Sequence, residues 1–237
     1  MATSEPRQSS GAGLPRHHNP ASKNKLVPNS ALNFPGQDLF SRVARAVCEA
    51  ECLPRKELYE SWEVARRVRR RFSGRRVVDL AAGHGLLAHL LLLLDDRSPQ
   101  ALAVDVRIPA SARRVSAALC ARWPRLRDRV QLLEAPIESV ELGPDDLVVS
   151  AHACGQLTDR VLDLALAARA AVAVLPCCHG FSRGDRGGLE GWLDPALAMD
   201  VVRADRLRRA GYRVHTQLIP AEITPKNRLL FGHPPGR

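Results

Sequence analysis

The chain has no uninterrupted apolar run of about 18 residues or more, the length a membrane-crossing helix needs. That excludes an ordinary helical span. Its opening residues, Met1-Ala2-Thr3-Ser4 followed by Glu5 and Pro6, contain no apolar core of signal-peptide type, so a cytoplasmic location is expected over a secreted one. Lysine is scarce, limited to Lys23, Lys25, Lys56 and Lys226. No Cys-x-x-Cys pair occurs among the six cysteines, Cys48, Cys52, Cys120, Cys154, Cys177 and Cys178. Without that spacing or a signal segment they read as reduced thiols, not a disulfide framework. No internal repeat is present.

At 237 residues and 45% hydrophobic content, the chain suffices for one substantial α/β domain with extensions. The net charge of +10 suggests a polyanionic partner such as RNA. An arginine-rich composition inherited from a biased genome would give the same excess, and that alternative stays open.

The stretch Val77-Val78-Asp79-Leu80-Ala81-Ala82-Gly83-His84-Gly85-Leu86 organises the rest. It starts as a buried strand, turns through Gly-x-Gly and continues into a leucine-rich helix. Such a unit cradles a nucleotide in open α/β sheets, because glycines admit close backbone approach and the first helical N–H groups point at the ligand. Gly83-x-Gly85-x-x-Ala88 also fits a dinucleotide fingerprint, which keeps a nicotinamide oxidoreductase as an alternative. Asp79 argues against it, since a carboxylate there suits a cationic ligand and repels a pyrophosphate. A tight turn without a ligand is the plain alternative. Asp105, 22 residues after Gly83, ends the next strand where a carboxylate can take both ribose hydroxyls.

Strands are predicted at 76–80, 101–105, 130–133, 146–150, 171–175, 213–219 and 228–231, with helices over 85–94, 109–121, 157–168 and 195–210 between most of them. The alternation implies a parallel sheet covered on both faces, closed by an antiparallel pair around Thr224-Pro225-Lys226-Asn227. Two more helices are predicted upstream, over 37–52 and from Pro54 to about residue 72. The second ends in Arg66, Arg67, Arg69, Arg70 and Arg71, which suit a helix C-terminus or a substrate phosphate. Residues 1–34, which include Arg16-His17-His18, read as a disordered basic tail.

The acid-x-x-x-Gly-x-Gly pattern resembles motif I of the class I S-adenosylmethionine-dependent methyltransferases. His152-x-Cys154-Gly155, Thr158-Asp159 and Pro176-Cys177-Cys178-His179-Gly180 add a narrower resemblance. They are similar to the branch that includes the methyltransferase domain of glutathione S-transferase C-terminal-domain proteins. They also resemble the tRNA acceptor-stem ribose 2′-O-methyltransferases, where a second His stands at the place of Gly180. The resemblance implies a Rossmann-like seven-stranded methyltransferase sheet over 74–237 with a helical N-terminal cap over 35–73. It implies S-adenosylmethionine as cofactor and methyl transfer, with RNA as the first substrate guess. The alternatives are protein or small-molecule acceptors, or a non-catalytic binding module.

On that basis Asp79, Ala81, Gly83, Gly85, Asp105, Val106, Ile137 and Glu138 are expected at the cofactor. His152 and His179 are expected as acid–base catalysts. Cys154, Asp159, Cys178 and Asn227 are expected at the substrate. The histidines and cysteines have zinc-ligand chemistry, but adjacent Cys177 and Cys178 cannot easily share one ion, and no metal is expected. Burial as small packing residues is the favoured reading for that cysteine pair. Helix capping is the favoured reading for Asp159, and an exposed turn is the plain reading for Asn227. Residues 181–193 read as a mobile loop, with Trp192 either stacking on a base or anchoring it.

Overall fold

Strand β1 (Arg76–Leu80) runs through the centre of a seven-stranded sheet, bonded in parallel to β2 (Ala101–Asp105) and β4 (Asp146–Ser150). The computed structural model describes residues 25–176 and 184–236. The other strands are β3 (Val130–Glu134), β5 (Ala171–Val174), β6 (Arg213–Leu218) and β7 (Arg228–His233), giving the order β3-β2-β1-β4-β5-β7-β6. The expected α/β sheet is therefore present, with β7 inserted antiparallel between β5 and β6. The predicted strands agree with the observed ones to within two residues.

The period of two along β1 builds two cores. Val77 faces one apolar cluster and Val78 the other. Helices α5 (Gln156–Ala168) and α6 (Pro195–Arg209) cover the Val78 face. Helices α1 (Leu39–Ala50), α2 (Arg55–Arg71), α3 (Leu86–Leu94) and α4 (Ala110–Arg122) cover the Val77 face. Eight of the nine α3 residues are buried, as expected for a nearly all-leucine helix with the sheet on one side and α2 on the other.

The chain runs outward from β1 through β2 to β3, then returns to lay β4 on the other side of β1. Ligand crevices form at such reversals, outside the carboxyl ends of the strands. Here the reversal sets the loop after β1 beside the loop after β4.

The expected disorder of residues 1–34 is corrected over its described part. Lys25 pairs with Pro54 in an isolated bridge, and Pro28–Asn33 form a 3-10 helix. Leu26 and Phe34 are buried, and the Phe34 ring meets Phe40 edge-on at 5.9 Å. Phe40 in turn packs on Tyr59 and Trp62 at 5.1 and 5.2 Å. Two apolar anchors in a polar stretch suffice to dock it on α1 and α2. Residues 1–24, including Arg16-His17-His18, lie outside the described residues.

The arginine cluster closing α2 serves the fold. Arg66 and Arg67 pair with Glu63, and Arg69 Nε donates to the Leu94 carbonyl at 3.0 Å. Arg71 contacts His215 and lies over the Phe231 ring at 5.2 Å.

Candidate functional site

The turn after β1 holds three left-handed residues, Ala81, Gly83 and Gly85, at φ +57°, +55° and +67°. For Ala81 this backbone costs about 1–2 kcal/mol, strain that the surrounding fold must hold in place. A Cβ on Gly85 would stand 3.1 Å from Leu132 and 3.4 Å from Ala103, so a side chain has no room there. A Cβ on Gly83 would approach only His152, at 3.9 Å, so the turn is open on that side.

Asp105 reaches back to this turn. Its Oδ2 accepts the Gly83 N–H at 3.0 Å, and its Oδ1 accepts the Arg107 N–H at 3.3 Å. A carboxylate has about four lone-pair sites, so capacity remains for hydroxyl donors. Val106 beside it is 69% exposed. Ile137 is buried in the 3-10 helix Ile137–Ser139, whereas the Glu138 side chain pairs with Arg160 on α5. Glu134, not expected at the site, accepts the Ile108 N–H at 2.9 Å and shapes the loop after β2.

Asp79, expected to meet a cationic ligand directly, lies beneath the turn with 1% of its surface exposed. One oxygen accepts the Ala88 N–H and Oδ2 has no hydrogen-bond partner. Burial pushes its pKa up to about 8, helped by the charge of Asp105, so the group is largely protonated at neutral pH. His89, also buried, donates Nδ1–H to the Gly85 carbonyl at 2.7 Å and accepts from Ser116 Oγ at 3.1 Å. That fixes its tautomer and ties α3 and α4 to the turn, while burial holds its pKa down to about 4. Nothing in the leucine-rich α3 sequence distinguishes His89 as more than a core residue.

The loop after β4 brings His152 to the glycine turn. Ala153 N–H donates to Ser150 Oγ at 3.3 Å, and Thr158 Oγ1 donates to the Ala153 carbonyl at 2.6 Å, which sets the loop's path. His152 is half-buried and Cys154 exposed. A cleft of about 1070 Å³ opens from His152 towards the cap, lined among others by Phe34, Tyr59, Glu57, Glu222 and Lys226. Glu57 Oε2 accepts from His84 Nδ1–H at 3.0 Å, an ion pair when His84 is charged.

Asp159 and Asn227, expected at the substrate, make internal hydrogen bonds. Asp159 binds Arg203 through both oxygens, at 2.8 and 2.9 Å, and Arg203 also donates to the Gly155 carbonyl at 3.0 Å. Asp200 joins this network and pairs with Arg228 at 2.6 Å. Asp159 thus fixes the His152 loop against α6 and β7 from behind. Asn227 Nδ2 donates to the Ile219 carbonyl at 2.9 Å and closes the β6–β7 connection. Trp192 is 88% exposed and so does not anchor its loop by burial. Cys177, Cys178, His179 and Gly180 lie outside the described residues. Cys48, Cys52, Cys120 and Cys154 are free of disulfides. Among the described residues, no group of three or more His, Cys, Asp or Glu side chains is arranged to hold a metal ion, and no helix is long and apolar enough to cross a membrane.

Comparison with known proteins agrees with this geometry. A family model described as a methyltransferase domain matches residues 56–181, starting inside α2. A glutathione S-transferase C-terminal domain-containing protein from Xenopus laevis is 58% identical over 33 residues, 14% of this chain and 5% of that protein. The chain thus spans a small part of that relative's length. Among solved structures, an S-adenosylmethionine-dependent O-methyltransferase from Thermotoga maritima superposes with a TM-score of 0.53 at 13% identity, covering 83% of this chain and 72% of that one. An O-methyltransferase family protein from Burkholderia thailandensis gives 0.51 at 18% identity, over 90% and 64% of the respective chains. A putative rRNA-methylase from Clostridium thermocellum also gives 0.51, at 14% identity, over 73% and 94%. At these identities the structural likenesses establish the fold.

Proposed function

The chain belongs to the methyltransferase-domain family, and from that premise we propose that it transfers the methyl group of S-adenosylmethionine to an RNA acceptor entering the cleft beside His152. The observation that carries the cofactor reading is the Asp105–Gly83 hydrogen bond at 3.0 Å, which holds a ribose-binding carboxylate against an open glycine turn at the strand reversal. The residues fit the cofactor. Gly83 leaves room for close approach, Asp105 retains acceptor capacity for ribose hydroxyls, and Val106 offers an apolar edge to a base. Beneath the turn, the orphaned Oδ2 of Asp79 gives the floor a carboxyl able to take up negative charge when a cation lies above it. S-adenosylmethionine supplies an electrophilic methyl carbon on a sulfonium.

The remaining chemistry belongs to the protein. Methyl transfer needs the acceptor aligned with the methyl carbon, and such alignment supplies much of the rate. The His152 imidazole stands between cleft and turn, placed to take the proton an oxygen or nitrogen nucleophile must lose. The net charge of +10 supports RNA as acceptor through attraction to phosphates.

Calorimetry with S-adenosylhomocysteine tests the cofactor reading. The wild type is expected to bind and Asp105→Ala to bind much more weakly. Equal binding by a folded Asp105→Ala variant overturns the assignment. Methyl-labelled S-adenosylmethionine, incubated with RNA and protein fractions from cells lacking the protein, tests the acceptor. Label in RNA supports the reading, and label only in protein overturns RNA as substrate.

A further inference from the structure

Glu57 joins the N-terminal cap to the glycine turn. It lies in the first turn of α2 and forms part of the cleft wall. Its partner His84 is the residue between Gly83 and Gly85, and the two side chains remain 26% and 27% exposed. Neither is sealed from a bound molecule. His152 arrives from the end of β4, its Cδ2 3.9 Å from where a Cβ on Gly83 would stand. An acid and two imidazoles from three separate elements therefore meet along the open edge of the turn.

Burial works against the Glu57 carboxylate, yet the His84 hydrogen bond, then the charges of His84, His152 and Lys56, together hold it below the ordinary carboxylate range. Cys52, Arg55, Tyr59, Glu60, Glu222 and Lys226 are the other titratable groups around it on the cap and the β6–β7 connection. By accepting from Nδ1, Glu57 settles which nitrogen of His84 carries hydrogen and orients the ring.

We propose that Glu57 is a positioning residue for methyl transfer, orienting His84 in the cofactor turn and coupling that turn to the cap. This rests on the S-adenosylmethionine reading above. It extends the active centre into the cap, in keeping with a family match that begins at residue 56, within α2.

The test uses the full chain with Glu57→Gln, Glu57→Asp, His84→Gln and the double variant Glu57→Gln/His84→Gln. S-adenosylhomocysteine affinity is read by calorimetry and the His84 ring tautomer by nitrogen NMR without ligand. Glu57→Gln and His84→Gln are each expected to weaken binding by roughly three- to tenfold, the scale of one ordinary hydrogen bond. The double variant should be no weaker than the weaker single. In Glu57→Gln the His84 ring should no longer be held in the single tautomer with hydrogen on Nδ1, because an amide can either accept from or donate to that nitrogen. Glu57→Asp, which keeps the charge but shortens the reach, should lose the coupling to His84. Additive losses in the double variant, together with an unchanged His84 tautomer in Glu57→Gln, overturn the proposal. Absence of binding by the wild type instead overturns the cofactor reading, and the ligand-free tautomer measurement still decides whether Glu57 sets the state of His84.

Discussion

Replacing Asp79 by Asn should remove a pH dependence built into the floor of the site. The carboxyl is 1% exposed and its pKa is raised from 3.8 to about 8, chiefly by burial. Between those values the native chain holds a proton that the unfolded chain has released. Stability therefore falls as pH rises, by about 1.4 kcal/mol per unit while the mismatch lasts. Asparagine keeps the shape and an oxygen for the Ala88 N–H but does not titrate. Between pH 5 and pH 7 the Asp79→Asn variant should gain roughly 2–3 kcal/mol relative to the wild type. Urea unfolding of both proteins at pH 5, 6 and 7 measures this, and taking the difference cancels groups common to both. A difference in stability that stays constant across the three pH values would refute the reasoning, because a carboxyl ionised throughout in both states contributes no slope.

The neighbouring His89 should act in the opposite sense. Its pKa is lowered from 6.5 to about 4, so its contribution is present above pH 6.5 and lost as pH falls through that window. In urea unfolding, His89→Gln should lose less stability than the wild type between pH 6.5 and pH 4.5. Gly85→Ala should lower stability by about 1–3 kcal/mol, from φ +67° and from the 3.1 Å approach to Leu132, read as a lower Tm. Arg203→Met should cost about 1–3 kcal/mol in chemical unfolding, because Asp159 and the Gly155 carbonyl lose their donor while Asp200 keeps Arg228.

Local chemistry was legible wherever one segment carried it. Val77 to Leu86 encodes strand, turn and helix in adjacent residues, and Asp105 sits at a strand end where the pattern requires an acid. The internal hydrogen bonds of Asp159 and Asn227 were not legible. A carboxylate at a helix start reads alike whether it meets a ligand or Arg203, 44 residues away. Residues 25–34 misled because two apolar anchors in a polar stretch give no periodic signal.

Side-chain period and backbone freedom over a few residues are enough to specify the strands, the glycine turn and the acid that bonds to it, so these could be read along the chain. What surrounds that turn depends on packing between distant segments. The strand reversal between β1 and β4 carries His152 to Gly83, and docking of α2 carries Glu57 to His84. Burial beneath the turn, which no local pattern encodes, converts Asp79 from a carboxylate expected to meet a cationic ligand into a carboxyl that keeps its proton up to about pH 8.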